Sequence, residues 1–270
     1  MTDDVAATTP WQNPVRARLA RGEFVVGVAI TATSLDLAAV AARAGFDFLW
    51  IEMEHSPLTL ETLRHLVLTS RGLPAVPFAR IPIGETWLAK RVLDAGVHGV
   101  IVPFTSTPDL AMRAAQACRY PPRGRRGSGA GLATSTWPMV PSYYDSADDN
   151  IVVVAIIEEA AAVDQVDAIA ATDGIDVLFV GTSDLSFSLG HRGNAQHPEV
   201  LAAVAQVRDA AVRHGKVVGR PAATPEALAQ YVDDGFLFFQ APSDLSLFAE
   251  GARRWLDPIG RAAGAGRLAY

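Results

Sequence analysis

The sequence predicts an α/β chain of the (β/α)8 TIM-barrel class in a single domain, on three observations. Short β-branched runs alternate with Ala- and Leu-rich stretches of helical pattern. Eight such pairs fill about 250 residues, the number and length that a closed barrel of this kind needs. The strand runs are mostly continuous apolar stretches rather than strict alternations, as strands buried on both faces are. An open doubly wound sheet is the alternative, and the G-x-G-x-x-G turn that would follow its first strand is missing.

Taken in order, strands are predicted over Val25–Ile30, Phe46–Ile51, Ala75–Ala79, Gly99–Val102, Ile151–Ile157, Asp176–Val180, Lys216–Gly219 and Gly235–Phe239. Helices are predicted over Leu35–Ala44, Leu60–Thr69, Glu85–Ala95, Pro108–Arg119, Ala160–Ala171, Pro198–His214, Pro225–Asp233 and Ser243–Trp255. Ser34, Thr107 and Thr224 each place a capping hydroxyl at a helix start, the last two before a proline. Gly45, Gly96, Gly174, Gly215 and Gly235 each stand between a helix and a strand, where a helix-ending glycine belongs. Residues 1–22 read as an N-terminal extension with a helix, 23–256 as the barrel and 257–270 as a tail. The segment Pro121–Asn150 is too long for an ordinary connection, which points to function or a subunit contact.

Composition narrows the function. Of 270 residues, 50% are hydrophobic and 19% charged, which is globular rather than disordered material. The net charge of -6 argues against nucleic acid, which rewards basic patches. The local cluster Arg123, Arg125 and Arg126 reads as a loop or ligand clamp. The single cysteine, Cys118, excludes a disulfide within the chain and lies in an Ala-rich helical run, as a core thiol does. The first ten residues show no basic-then-apolar signal pattern. No apolar run approaches the roughly 18 residues of a membrane helix. The expectation is a cytoplasmic protein with no membrane or nucleic-acid partner.

Catalytic groups of a barrel come from the C-terminal ends of its strands. There the sequence offers Glu52, Glu54 and His55 after the second strand, Arg80 after the third, Glu158 after the fifth, and Asp184 in the segment Gly181–Gly190 after the sixth. Each has a plain structural alternative. Glu158 and Asp184 fit helix caps, Arg80 an ion-pair partner of Glu52 or Glu54, and His55 a packing contact with Pro57. Together they point further: two converging carboxylates repel and need a cation between them. Hard oxygen ligands suit Mg²⁺ or Mn²⁺, and the His or Cys spacing of a zinc site is absent. Only two lysines exist. Lys90 lies inside a helix and Lys216 opens a strand at the end opposite the mouth, so Schiff-base chemistry has no amine.

At these residues the sequence resembles the HpcH/HpaI aldolase/citrate lyase family, over about Gly22 to Leu256. The motifs that carry the resemblance are Glu54-His-Ser-Pro57, Arg119-Tyr-Pro-Pro122 with Arg126-Gly127, Ile157-Glu158, Gly174-Ile-Asp176 and Gly181-x-x-Asp-Leu-Ser-x-Ser-Leu-Gly190. The resemblance implies a carbon–carbon lyase, a class II pyruvate aldolase that cleaves a 4-hydroxy-2-oxo acid to pyruvate and an aldehyde through a pyruvate enolate. It implies a divalent cofactor (Mg²⁺, Mn²⁺ or Co²⁺) on Glu158 and Asp184, and Arg80 binding the carboxylate and oxygen of pyruvate. It implies His55 at the acid/base centre, paired with the carboxylate at Glu52, and substrate contacts at Ile156, Gly181, Thr182 and the Ser183 backbone. Asp94 matches an acid that raises the basicity of the histidine, and it is placed to reach only a neighbouring subunit's site. That fits the homohexamer, a trimer of dimers with exchanged C-terminal helices, that the family implies. Three positions depart from the family pattern: Glu52 replaces Asp, Ile156 replaces Gln and Thr182 replaces Pro. The acceptor pocket is expected around Trp137, Tyr143, Tyr144 and Ile156. Two rival functions are a citrate-lyase-β-like CoA-ester lyase, for which no Gly-rich phosphate loop exists, and a non-catalytic metabolite-binding barrel.

Overall fold

The computed structural model describes residues 11–129, 131–137 and 143–261. The rest of the N-terminal extension and of the C-terminal tail lies outside the described residues. Helix α1 (Pro14–Ala20) precedes β1 (Val25–Ile30), α2 (Leu35–Arg43), β2 (Phe48–Glu52), α3 (Leu60–Ser70), β3 (Val76–Arg80), α4 (Thr86–Ala95) and β4 (Gly99–Val102). Then follow α5 (Pro108–Ala117), α6 (Gly131–Thr136), α7 (Tyr143–Asn150), β5 (Val152–Ile157), α8 (Ala160–Asp164), α9 (Val166–Ala170), β6 (Val177–Val180) and α10 (Thr182–Ser188). The chain ends with α11 (Pro198–Arg213), β7 (Val217–Pro221), α12 (Pro225–Asp233), β8 (Phe238–Ala241) and α13 (Asp244–Leu256). All eight strands pair in parallel and in sequence order, and β8 closes onto β1. The predicted barrel is therefore observed.

The capping residues act as their chemistry requires. Ser34, Thr107 and Thr224 each accept a hydrogen bond from the backbone N–H three residues on. Several boundaries differ from the sequence reading. Strand β2 starts at Phe48 because Asp47 is used first, its carboxylate accepting from Val26 N–H at 2.8 Å. Strand β8 starts at Phe238 because Phe236 N–H still returns to the Tyr231 carbonyl at 2.9 Å, closing α12. The single helix predicted over Ala160–Ala171 breaks at Gln165, where φ is -109° and ψ is 10°.

Strand alternation divides the core into two layers. Phe48, Trp50, Phe78, Val152, Val154, Ile156, Val177, Phe179 and Phe238 fill the barrel interior. The intervening residues, such as Leu49, Ile51, Ala79 and Val153, meet the surrounding helices. Phe48 is the pivot of the interior: its ring lies 4.7 Å from Phe238 and 4.9 Å from Phe78, centroid to centroid. Gly27 makes room for it, since a Cβ built there would overlap the Phe48 ring.

The described residues between α5 and β5 join a helix to a strand, so they lie at the N-terminal face of the barrel, opposite the mouth. Trp137 donates its indole N–H to the Gly96 carbonyl at 2.8 Å and packs at a tilt against His98, 4.5 Å between centroids, just before β4. Trp11 covers the other side of His98 at 4.4 Å, and burial pushes this imidazole down to about 3. Tyr143 accepts from Arg126 at 3.2 Å, and Tyr144 lies against Tyr120. The expectation that Trp137, Tyr143 and Tyr144 shape the pocket of their own barrel is thus corrected. A helix-to-strand connection belongs to the far face in a βα repeat, however long it is.

The Gly27 packing makes a stability prediction. Gly27→Ala forces a methyl into the Phe48 ring at the closed centre of the barrel. It should cost about 2 kcal/mol or more, seen as a lower denaturation midpoint at fixed protein concentration.

Candidate active site

The inward-facing register extends one step beyond the apolar interior, and there the residue chemistry changes. After Phe48 and Trp50 the next inward position on β2 is Glu52. After Phe78 on β3 it is Arg80, and after Val154 and Ile156 on β5 it is Glu158. All three are buried. The mouth thus stacks two acids and an arginine directly on the hydrophobic plug, where water is scarce and charge interactions are strong.

Glu52 is held by five neighbours. Its Oε2 accepts from the Trp50 indole at 3.0 Å and lies 3.6 Å from Arg80 Nη1. Its Oε1 accepts from the backbone N–H groups of Glu54 and His55 at 2.8 and 3.0 Å. Ser56 donates to the Glu52 carbonyl. Glu52 therefore shapes the turn that carries Glu54 and His55. The carboxylate facing the imidazole is Glu54, 3.7 Å from His55 Nε2, and it also forms an ion pair with Arg80. Burial raises the Glu54 acid, while Arg80 opposes that rise. The sequence reading paired Glu52 with the histidine and offered Glu54 only as an ion-pair partner of Arg80. The signal was present in the second carboxylate immediately before His55. The imidazole itself is half-exposed, so it can exchange protons with a ligand.

On the other side of the mouth, Glu158 Oε1 accepts from Phe104 N–H at 2.7 Å. Burial pushes its acid up to about 7; the Phe104 N–H and Arg80 pull it down, and Glu54 and Asp184 push it further up. Gly181 is required beside it, because an added Cβ would lie 2.7 Å from Glu158 Oε2 and 3.1 Å from Ile156 Cγ2. Thr182 is buried at the start of α10, Ser183 is exposed, and Asp184 is half-buried on the first turn of that helix. Ile156 is buried in the barrel interior directly beneath Glu158, and its carbonyl accepts from Thr105 N–H at 3.1 Å. The site brings together His55, Arg80, Glu158 and Asp184 with Glu52 and Glu54. Four carboxylates face one guanidinium, a donor set that fits a hard divalent cation between Glu158 and Asp184.

Asp94 is not brought to this mouth. It sits near the end of α4 and pairs with the buried Arg126 at 2.8 Å. Burial pushes the Cys118 thiol up to about 12, which makes it an inert core group. Lys216 donates to the Thr172 and Ile175 carbonyls on the far face, away from the mouth. A second cluster, His191, His197 and Glu199, lies in the segment from α10 to α11. Its rings stack at 3.4 Å, His191 pairs with Glu199 at 2.7 Å, and His197 Nδ1 accepts from Glu199 N–H at 3.3 Å. That set is satisfied by its own hydrogen bonds at the start of α11. No helix among the described residues is long and apolar enough to cross a membrane.

Comparison with known proteins agrees with this geometry. The family model described as HpcH/HpaI aldolase/citrate lyase matches residues 26–251. A hydroxypyruvate/pyruvate aldolase of Cupriavidus necator is 37% identical over 246 residues, covering 91% of each chain. A 5-keto-4-deoxy-D-glucarate aldolase of an Enterobacter species is 36% identical over 245 residues, covering 91% of this chain and 96% of its own. The crystal structure of an HpcH/HpaI aldolase/citrate lyase family protein from Burkholderia cenocepacia superposes with a TM-score of 0.85 at 34% identity, covering 92% of this chain and 99% of that one. The eightfold parallel barrel, the charged ring at its mouth and these matches lead to one assignment: the chain belongs to the HpcH/HpaI aldolase/citrate lyase family.

Proposed function

We propose that the chain is a divalent-metal-dependent aldolase that cleaves a 4-hydroxy-2-oxo acid to pyruvate and an aldehyde, and joins them in reverse. The observation that carries the reading is the imbalance at the mouth, where Arg80 pairs with Glu52 and Glu54 while Glu158 feels both Glu54 and Asp184 beside it. Glu158 and Asp184 would hold the cation. When bound, Mg²⁺, Mn²⁺ or Co²⁺ supplies a Lewis acid for the 2-oxo acid and for the negative charge of the enolate. The aldolase names of the relatives support the same class.

The chain's own residues supply the rest. Arg80, fixed between Glu52 and Glu54, presents its guanidinium to the carboxylate and 2-oxo oxygen of the substrate. That preorganised charge favours the enolate left when the C3–C4 bond breaks. His55 takes the proton from the 4-hydroxyl oxygen in cleavage and returns it in synthesis, and Glu54 orients its ring. Ile156 supplies an apolar floor where the family usually has a glutamine. Gly181 lets Glu158 approach, and the Thr182–Ser183 backbone borders the substrate.

Assembly completes the reading. Asp244 pins the start of α13 to the end of β1, accepting from Thr31 N–H, Thr31 Oγ1 and Ala32 N–H. Beyond that anchor α13 leaves Leu245, Phe248 and Trp255 exposed at 47%, 71% and 73%. An uncovered apolar stripe of this kind fits a helix packed on a second copy. The exchanged-helix hexamer would also bring Asp94 to a neighbour's site.

Three outcomes follow. Pyruvate and glycolaldehyde with Mn²⁺ should give the aldol product by mass, EDTA should abolish it, and Arg80→Ala should lower kcat/KM at least about a hundredfold. Near-normal turnover of that variant removes Arg80 from the chemistry.

The Glu158 acid, standing at about 7 without a cation, makes Mn²⁺ compete with a proton. Its ionised form is disfavoured by folding, so the cost is absent below the ordinary carboxylate range and complete above pH 7. Mn²⁺ affinity should therefore fall about tenfold per pH unit below 7 and level off above it. Calorimetry across pH 5.5–8 reads this slope, and a flat profile contradicts it.

For assembly, the double variant Phe248→Glu, Trp255→Glu should run as a smaller species than the wild type in light scattering. An unchanged mass would place the interface elsewhere.

A further inference from the structure

We infer that Trp50 is a positioning residue: its indole N–H, inside the barrel, fixes the Glu52 carboxylate, and Glu52 in turn fixes the backbone that presents Glu54 and His55. This rests on the aldolase reading above and adds to it a residue buried beneath the site.

One carboxylate links the barrel interior to the turn above it. Trp50 and Glu52 are two residues apart on β2, so both side chains point inward. Glu52 Oε2 accepts from the Trp50 indole at 3.0 Å. Glu52 Oε1 accepts from the Glu54 and His55 amides at 2.8 and 3.0 Å. The strand ladder reaches only as far as Met53, whose N–H bonds the Arg80 carbonyl at 3.0 Å. Beyond it, a side chain holds the next two amides. The shape of the turn, and with it the 3.7 Å approach of Glu54 to His55 Nε2, therefore depends on where the Glu52 carboxylate points.

The indole sets that direction. Arg80 Nη1 stands 3.6 Å from the same Oε2, outside hydrogen-bond range, whereas the indole is within it. Trp50 cannot give way. It is fully buried in the apolar cluster of the interior, its ring lies 5.0 Å from Phe179, and its backbone is in register with Ala29 on β1 and Phe78 on β3. An indole N–H in such surroundings needs an acceptor.

The length of Glu52 explains why an anchor is needed. An aspartate bonds the amides that follow it in an ordinary Asx turn, with no outside help. A glutamate has one more rotatable bond to order, and the indole supplies the fixed contact that orders it. Without that contact the carboxylate is free to turn to Arg80, a stronger charge-assisted partner, and to leave the two amides.

Kinetics of aldol synthesis from pyruvate and glycolaldehyde with Mn²⁺ test this chain of contacts. Trp50→Phe keeps an aromatic ring in the interior and removes the donor. It should lower kcat at least about tenfold, as expected for losing a hydrogen bond to a charged group, with KM for pyruvate within about threefold of wild type. Without substrate, the Glu54 and His55 amides of this variant should exchange with solvent at least about tenfold faster. The double variant Trp50→Phe, Glu52→Asp should recover kcat to within about threefold of wild type, because the shorter acid needs no anchor. A role in packing alone would leave the double variant no better than Trp50→Phe. Placing 3-benzothienylalanine at position 50 keeps the bicyclic shape without the N–H, and it should reproduce the Trp50→Phe losses even where the smaller ring fails to fold. Near-normal kcat, unchanged amide exchange, or no recovery in the double variant overturns the positioning role. If the wild type makes no aldol product, the aldolase reading falls and takes this role with it. If the wild type is active and the variants match it, the positioning role alone falls.

Discussion

The mouth of this barrel is organised by a shortage of positive charge. Four carboxylates converge on one arginine at the top of a hydrophobic plug, where water cannot screen them. Each acid meets that shortage differently. Glu52 directs its oxygens to an indole and two backbone amides, Glu54 takes the guanidinium, and burial raises the Glu158 acid to about 7. Asp184 stands across from it on a helix rather than a strand. A small, hard cation, as proposed above, would relieve this crowding.

The barrel delivers this arrangement with little specialised structure. Glu52, Arg80 and Glu158 are simply the next inward positions after Trp50, Phe78 and Ile156. Alternation along a strand puts them in the mouth without a dedicated loop. Small residues then adjust the spacing: Gly27 admits the central ring and Gly181 admits the buried acid. The opposite face holds α6 and α7, the buried His98 and the Asp94–Arg126 pair, none of which contributes to this subunit's own mouth.

Much of this was legible in the sequence, because the strongest signals are local. Capping hydroxyls, helix-ending glycines and apolar runs of strand length located all eight strands, and the polar residues at their ends marked the site. What escaped was set by three-dimensional pairing. The shared duties of Glu52 and Glu54 depend on where Trp50 and two backbone amides point. Helix α10, TSDLSFS, is poor in helix formers and is steadied by Ser186 bonding back to the Ser183 carbonyl at 2.6 Å. The left-handed conformation of Phe104, with φ at 48°, is invisible because phenylalanine does not announce it as glycine or asparagine would. Trp137, Tyr143 and Tyr144 stand at the far end of their own barrel because chain order, not loop length, decides the face on which a helix-to-strand connection lies.

The turn at Phe104 serves the buried acid through its backbone: the Phe104 amide donates to Glu158 at 2.7 Å. The side chain there is open to exchange, whereas lengthening or shortening the 103–106 turn would unseat the acid. In this lineage, drift at this place should accumulate as point changes on a turn of constant length.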